Sequence, residues 1–247
     1  MNKVELLAVP GLPLVKAGDD LASLLSKALT GECAPRAGDV LVLAQKIVSK
    51  AEGRTVDLAS VTPSPRAIAL AAEVLKDPRL VELILSESVR VVRSKPNVLI
   101  VEHRLGFVMA NAGIDQSNVA PQDGVERALL LPKDPDASAA ALSVKLNMPV
   151  LIIDSFGRAW RKGTTGIAIG AAGLPSLIDM RGQTDMFGRI LQVTMPAFGD
   201  ELAAAASLVM GQADEARPAV LVRGLSWKAP NLPASELIRS SAEDLFR

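Results

Sequence analysis

The sequence has few of the residue types on which several common kinds of protein depend. It has no tyrosine, and aromatic residues make up 3% of its 247 positions, so stacking platforms for single-stranded nucleic acid are not expected. The single cysteine, Cys33, excludes an internal disulfide, and the single histidine, His103, leaves no zinc cluster. These two residues also offer no nucleophile and base for acyl-enzyme chemistry.

Long apolar runs and an excess of one charge are also missing. Lys+Arg and Asp+Glu both number 27, so there is no electrostatic footprint for nucleic acid or for an anionic membrane. No uncharged apolar run reaches the ~18 residues of a membrane span, and the N-terminus lacks the apolar region of a signal peptide. We therefore expect a cytoplasmic protein that binds neither nucleic acid nor membranes.

What the sequence does contain is an alternation of short apolar strands and alanine- or leucine-rich helices. With 49% hydrophobic residues, a chain of this length can bury a sizeable core. Residues 39–50 begin as a strand buried on both faces, Asp77–Pro78 and Asp134–Pro135 mark helix starts, and 234–247 is predicted to be a C-terminal helix. The order predicts an α/β (mixed α+β) fold, with two closely packed lobes in one domain over 1–247.

Two aspartates occupy similar positions after apolar runs. Asp115 follows VMANAGI and Asp154 follows VLII, with Asn118 and Ser155 close to them. If the two strands are neighbours, the carboxylates converge and can hold a divalent cation, because Mg²⁺ takes few protein ligands and leaves its other positions to water and phosphate. The alternative is that each aspartate makes a turn or caps a helix, as Asp often does after a strand. The similarity of the two settings favours a metal.

Basic side chains that suit phosphates or carboxylates lie in two segments. Lys46 and Lys50 end the strand-like run described above, and Arg158, Arg161 and Lys162 cluster in GRAWRKG. Arginine offers a planar fork of donors, whereas lysine offers a point charge. A solvated surface is the alternative for all of them. We prefer it for Lys162, whereas Arg158 favours function because it follows a glycine close to the second aspartate.

Neither conventional nucleotide motif is present. GRAWRKGT (157–164) has the order Lys-Gly-Thr, whereas a P-loop needs Gly-Lys-Ser/Thr, and GAAG (170–173) lacks the glycine spacing of a dinucleotide fingerprint. GLPL (11–14) and MGQADEARP (210–218) are candidate backbone cradles for an anion, or plain turns. Without a nucleophile, metal- and cation-assisted transfer remains, a class in which positioning and charge neutralisation supply most of the catalysis.

Six ordered segments carry a family resemblance: GLPLVKAGDDLA, QKIVSKAEGR, NAGIDQSNV, LLPKDPDASA, IIDSFGRAWRKG with GIAIG, and DELAAAASLVMG with PAVLVRG. Over residues 4–224 the chain resembles the coenzyme F420-0:L-glutamate ligases, which add γ-linked glutamates to the deazaflavin coenzyme F420. The resemblance implies a family-specific mixed α/β ligase fold and a homodimer. Because the chain ends at Arg247, it also implies the stand-alone form, without a C-terminal nitroreductase-like domain.

The resemblance implies that GTP phosphorylates the terminal carboxylate of F420-0 and that the amino group of L-glutamate then attacks the acyl phosphate. It implies Mg²⁺ or Mn²⁺, two ions per site, with K⁺ as a helper. By motif, Asp115, Asp154 and Ser155 are metal ligands, and Lys50 joins the two aspartates as a catalytic residue. Arg158 and Arg161 are candidates to hold substrate carboxylates or the coenzyme's phosphodiester. The implied GTP contacts are Leu12, Pro13, Leu14, Val15, Gln45, Lys46, Lys50, Asn118, Met210, Gly211, Gln212, Ala213, Asp214, Glu215, Ala216 and Arg217.

Two other functions are compatible with the same residues. One is a related metal-dependent ligase or phosphotransferase that acts on a different carboxylate acceptor. The other is a non-catalytic nucleotide- or metal-binding protein, which would bind GTP without hydrolysis or ligation. The products of a reaction with GTP, L-glutamate and F420-0 distinguish the three.

Overall fold

Helices and strands alternate along most of the chain. The computed structural model describes residues 3–117, 124–240 and 242–244. The strands are β1 (Glu5–Ala8), β2 (Val40–Ala44), β3 (Thr55–Asp57), β4 (Ser88–Lys95), β5 (Val98–His103), β6 (Val108–Ala110), β7 (Arg127–Leu129), β8 (Val150–Gly157), β9 (Thr164–Ala172) and β10 (Ala219–Arg223). The helices are α1 (Leu21–Ala28), α2 (Gln45–Ala51), α3 (Pro65–Val74), α4 (Pro78–Ser86), α5 (Pro135–Leu146) and α6 (Phe198–Met210).

The largest sheet has five strands in the order β1-β10-β2-β8-β9. Its strands β2 and β8 are parallel, and the other neighbours are antiparallel. Along β2, Val40 and Val42 pack into one hydrophobic core while Leu41 and Leu43 pack into another. Successive side chains of a strand point to opposite faces, so the continuous apolar run reflects burial on both faces, as predicted.

Four helices begin at the side-chain caps that the sequence suggests. A carboxylate or hydroxyl accepts a hydrogen bond from a free N–H group of the first turn, which stabilises a helix by about 1 kcal/mol. In three of the helices a proline follows the cap at the first position, where its missing N–H has no cost. The caps are Asp20 for α1, Ser64 for α3, Asp77 for α4 and Asp134 for α5.

Two smaller antiparallel sheets flank a third hydrophobic core. The sheet β4-β5-β6 and the pair β3-β7 contribute to a core in which Leu58, Val81, Ile84 and Leu99 are buried. Neither β3 nor β7 was predicted. The mixed α/β class with several sheets is confirmed, whereas the division of the chain into two lobes stays a prediction.

The carboxylate of Glu87 joins three cationic or polar side chains in this part of the fold. Its Oε2 lies 3.0 Å from Nη2 of Arg54, 3.0 Å from Nε of Arg104 and 3.5 Å from Nε2 of the buried His103. Burial alone would raise the pKa of Glu87, but the interactions with His103, Arg54 and Arg104 outweigh it and lower the pKa to about 2. Ionised Glu87 therefore stabilises the folded state.

We expect Glu87→Gln to lower the free energy of unfolding at pH 7 by about 3 kcal/mol, because the arginines lose a partly buried partner. The pKa of Glu87 falls from 4.5 to about 2 on folding, so its contribution is complete above pH 4.5 and is lost as the pH falls toward 2. Denaturant unfolding across this range tests both claims. Glu73→Gln, at an exposed position of α3, is the control, and an equal loss there would contradict the role of the cluster.

The prediction of a C-terminal helix over 234–247 is wrong for the residues that the structure describes. They form one 3-10 turn, Ala234–Leu237, and no helix follows it through residue 240 or in 242–244. The carboxylate of Asp136 accepts hydrogen bonds from the backbone N–H groups of Ala234 and Ser235, and Ile238 packs against the large core. These tertiary contacts hold the segment in a conformation that local helix propensity does not favour.

Among the described residues, none of the helices combines the length and the apolar character that a membrane crossing requires.

Candidate active site

A cavity of about 650 Å³ lies where the parallel strands β2 and β8 part. The pair Ala44 and Ile153 ends their ladder, after which the chain enters α2 while β8 continues to Gly157 against β9 alone. Crevices outside the carboxyl ends of parallel strands are common ligand sites, and this volume is in the range of small-molecule pockets.

Nearly all residues predicted to bind GTP or metal line this one cavity. Asn118 is the exception, because it lies outside the described residues. The roles of the others stay predictions, but the structure brings together positions that are up to about 200 residues apart in the chain. The predicted residues in its wall are Leu12, Pro13, Leu14, Val15, Gln45, Lys46, Lys50, Asp115, Asp154, Ser155, Met210, Gly211, Gln212, Ala213, Asp214, Glu215, Ala216 and Arg217.

The two aspartates share the cavity although their strands belong to different sheets. Asp154 lies in β8 of the large sheet, opposite Ile167 of β9, whereas Asp115 follows β6 of the three-stranded sheet. The two strands are therefore not paired in one sheet, although β6 and β8 do pack against each other. Asp115 is instead held through two backbone hydrogen bonds with Leu129, the last residue of β7.

Asp154 forms no ion pair with any residue that the structure describes, although the charge of Lys46 acts on it. Burial raises its pKa to about 7, and the negative charge of Asp115 raises it further, while the backbone N–H of Ser155 and the positive charge of Lys46 lower it. An ionised carboxylate in such a place is costly unless a positive charge is supplied. A cation bound beside Asp154 would favour its ionised form.

Asp115 has the opposite environment. Its Oδ2 lies 2.6 Å from Nζ of Lys46, and its Oδ1 accepts a 2.6 Å hydrogen bond from the backbone N–H of Ser117. Burial would raise the pKa of Asp115, but the contacts with Lys46 and Ser117 outweigh it and lower the pKa. Asp115 is thus ionised and oriented. Ser117 was not singled out from the sequence, although an Asp with a Ser two residues later is the pattern of an Asx turn.

A left-handed backbone turn leads the chain from β6 to Asp115. Asn111, Ala112 and Gly113 have φ values of 53°, 54° and 66°. A Cβ on Gly113 would also lie 2.7 Å from a methyl carbon of Met109 and 2.9 Å from the side chain of Leu131. Left-handed non-glycine residues cost of order 1–3 kcal/mol each and persist where the surrounding structure holds them, often at functional sites.

Helix α2 presents three of the predicted side chains to the cavity. Lys46 and Lys50 are four residues apart and so lie on one face of the helix. Burial lowers the pKa of Lys50, the charge of Lys46 lowers it further, and Asp115 opposes both effects. Gln45 is 1% exposed; its Oε1 accepts a 2.8 Å hydrogen bond from Ser49, and its Nε2 has no partner within the described residues. Gln45 therefore has N–H donors available at the wall.

The Met210–Arg217 segment closes another wall and contacts β8. It begins at the end of α6, where Gly211 is the C-cap. The hydroxyl of Ser155 donates a 2.8 Å hydrogen bond to Oε1 of Gln212. Side chains alternate along a strand, so Ser155 faces this loop rather than the face of Asp154. A role for Ser155 as a metal ligand stays a prediction.

The two candidate substrate arginines separate in the structure. Arg158 lines a second cavity of about 250 Å³, which shares Phe156 and Gly157 with the first. Arg161 is exposed in the β8–β9 connection and lines neither cavity. Arg239 also lines the second cavity. Nothing in its sequence context indicated this, because it lies in the segment predicted to be a helix.

Over residues 3–117, 124–240 and 242–244, no group of three or more His, Cys, Asp or Glu side chains is arranged to hold a metal ion. A metal at this site would therefore depend on two carboxylates and on oxygen ligands from a substrate or water.

Comparison with known proteins places the whole chain among similar sequences. A family model described as F420-0:Gamma-glutamyl ligase matches residues 11–224. The chain is 48% identical to the coenzyme F420:L-glutamate ligase of Methanothermobacter thermautotrophicus, over 99% of both chains. It is 44% identical to that of Methanopyrus kandleri over the full length of both. It is 46% identical to that of Natronomonas pharaonis, over 99% of this chain and 95% of the relative.

Proposed function

The chain belongs to the F420-0:gamma-glutamyl ligase family, and from that membership we propose that it is a GTP-dependent ligase that joins L-glutamate to coenzyme F420-0 through an amide bond. The family assignment supports the ligase activity in coenzyme F420 biosynthesis. The use of GTP and an acyl phosphate intermediate is our proposal, and the large cavity supports it.

The observation that carries the proposal is the pairing of charges in this cavity. Asp115 and Asp154 line it together with Lys46 and Lys50. Phosphoryl transfer depends on positioning and charge neutralisation. A nucleoside triphosphate therefore requires divalent cations, which carboxylates can hold, and lysines close to its phosphates. Gln45 adds N–H donors for a phosphate or a base.

The residues present fit a divalent metal. The carboxylate of Asp154 forms no ion pair with a described residue, and Asp115 supplies a second carboxylate that is ionised and oriented. Mg²⁺ is commonly held by one or two carboxylates, with substrate phosphates and water completing its shell. When bound, Mg²⁺ or Mn²⁺ would neutralise phosphate charge and orient the γ-phosphoryl group. The second ion and K⁺ are proposed from the family resemblance alone.

The proposed reaction has two steps. A carboxylate oxygen of F420-0 attacks the γ-phosphorus of GTP, which forms the acyl phosphate and releases GDP. The deprotonated amine of L-glutamate then attacks the acyl carbon, the bond from that carbon to the phosphate oxygen breaks, and inorganic phosphate leaves with the electron pair. Lys46 and Lys50 offset phosphate charge, and the Leu12–Val15 and Met210–Arg217 segments limit access of water to the intermediate.

The proposal is tested by incubating the protein with GTP, Mg²⁺, L-glutamate and F420-0 and measuring product mass. We expect the mass of one or more glutamyl residues to be added, and parallel reactions with ATP measure nucleotide preference. GTP binding without a mass change would contradict the ligase and identify a nucleotide-binding protein. Turnover only with another carboxylate acceptor would contradict the choice of F420-0.

We also propose a homodimer, as the family resemblance implies, and a surface that forms it. The segment between β9 and α6 contains a hairpin-like arm, residues 178–196, whose two sides exchange backbone hydrogen bonds. Four large apolar side chains on this arm are exposed: Met186 at 88%, Phe187 at 81%, Ile190 at 65% and Val193 at 86%. Several large apolar side chains exposed on one short arm are typical of an interaction site, and a second copy of the chain is the proposed occupant.

Replacing Met186 and Phe187 together by glutamate is expected to convert the dimer into a monomer, because two charges would enter an apolar interface. Light scattering coupled to size-exclusion chromatography gives the molar mass directly. Val144→Glu is the matched control, since Val144 is 82% exposed on α5. A dimer that persists in the double variant would contradict the role of the arm, and a wild-type monomer would contradict the homodimer.

A further inference from the structure

The second cavity combines charged groups of both signs. It lies between the Gly106–Val108 segment, the end of β8, the middle of β9, the first turn of α6 and the C-terminal segment. Arg158 and Arg239 stand in its wall with Asp200 and Asp244. Within the described residues, neither arginine has a hydrogen-bond or ion-pair partner. Both guanidinium groups are therefore available to an anionic ligand.

This set of charges suits a small zwitterion with an additional carboxylate. Arginine binds carboxylates through two parallel N–H donors, an arrangement that is stronger and more selective than a single hydrogen bond. Asp200 is half-buried and accepts a 2.9 Å hydrogen bond from the backbone N–H of Ala168, so its position is fixed. Two carboxylates would occupy the arginines, and the negative charge of Asp200 favours a ligand that also carries an amino group.

The two cavities meet at β8. Phe156 and Gly157 line both of them, and the ring of Phe156 is held edge-on to Phe107 at a centroid distance of 5.6 Å. At Gly157 there is open space where a Cβ would stand. Gly157 lies three residues beyond Asp154, about 10 Å along the strand. Phe156 and Gly157 are therefore the residues at which a ligand of the second cavity would adjoin the first.

We propose that the second cavity is the subsite for the amino-acid substrate. Arg158 and Arg239 bind the two carboxylates of L-glutamate, and the α-amino group is directed past Gly157 toward the acyl phosphate. The assignment rests on the proposed ligase function and adds to it a location and two binding residues. It also explains selectivity, because an amino acid with one carboxylate leaves one arginine unpaired.

The test is steady-state kinetics of the full-length protein carrying Arg158→Gln or Arg239→Gln. Each variant is expected to raise KM for L-glutamate by about 10- to 100-fold, the effect of losing a charge-assisted hydrogen-bonded pair. The dissociation constant for GTP and KM for F420-0 are expected to stay within about twofold of the wild type. Arg158→Lys should restore part of the loss. The matched control is Arg66→Gln, at an exposed position of α3, which should leave all three constants unchanged.

The outcomes separate this inference from the proposed function. A wild-type protein that forms no glutamyl product overturns the proposed function. Wild-type ligation with an unchanged KM for L-glutamate in both variants overturns the subsite alone. An increase confined to KM for F420-0 would assign the cavity to the acceptor, and this result would also overturn the proposed glutamate subsite. A weakening of GTP binding as large as the increase in KM for L-glutamate would overturn the subsite too, because that result would place the effect in the first cavity.

Discussion

Asp154→Asn is expected to lower the rate of ligation by about 10³-fold or more while the protein stays folded. Asparagine preserves the shape of the side chain and removes the charge that would hold a divalent ion. A bound metal stabilises the transition state by several kcal/mol, and each 1.36 kcal/mol corresponds to a factor of ten in rate. Asp115→Asn should have a similar effect, because Asp115 lines the same cavity. Product mass spectrometry over time measures the rates.

The interpretation requires that the loss of rate does not come from unfolding. Thermal unfolding of both variants should lie close to that of the wild type, and Mn²⁺ binding in the presence of GTP, measured by electron paramagnetic resonance, should weaken. Glu73→Gln makes the same chemical change on the exposed surface of α3 and should retain full activity. Near-normal rates in both aspartate variants would remove the metal assignment.

Gly166→Ala, in the β8–β9 hairpin, is expected to lower the free energy of unfolding. A Cβ at Gly166 would lie 2.3 Å from the carbonyl oxygen of Ala203 and 3.0 Å from Cβ of Ser207. Both are in α6, which packs against β9 at this point, so the helix would have to move away from the sheet. Overpacking of this kind costs typically 1–3 kcal/mol. Because α6 leads into the Met210–Arg217 wall, we also expect weaker GTP binding.

Gly157→Ala in the same hairpin is the matched control for stability. Gly157 has no atom within 4 Å of an added Cβ, and its φ is not among the positive values. Alanine there is expected to be neutral or to stabilise the strand by up to about 1 kcal/mol, since glycine is unfavourable inside a strand. Chemical denaturation of the two variants gives the comparison. Equal free energies of unfolding would show that α6 and β9 are not held as closely as the structure indicates.

Local signals were sufficient for most of the fold. The Asp-Pro pairs placed the starts of α4 and α5, because capping and the fixed φ of proline act within a few residues. The apolar run at 40–44 gave a strand buried on both faces. The three-residue strands β3 and β7 were missed, since their pairing depends on a partner about 70 residues away in the chain. The prediction of a C-terminal helix was wrong for a related reason. The start of that segment takes its conformation from hydrogen bonds to Asp136, which lies about 100 residues earlier in the chain.

The candidate site also contains some residues that the sequence could identify and others that only the structure reveals. Asp115, Asp154, Lys46 and Lys50 could be selected from residue type and position, and the resemblance added the two loop segments. The convergence of the aspartates was predicted on the condition that their strands are neighbours, and the structure brings it about between two different sheets. Arg239 could not be found at all, because its importance depends only on the cavity that it faces.

By itself, the sequence determined which side chains are chemically able to hold metal and phosphate, and the family to which the chain belongs. Those properties follow from residue type and from the order of the motifs, and both can be read without knowing the distances between residues in space. Only the tertiary structure decided that two aspartates from different sheets face one cavity. It also decided that Arg158 lines a second charged cavity next to the first, whereas Arg161 lines neither. These facts depend on packing between distant segments, where burial and backbone hydrogen bonds outweigh local preference.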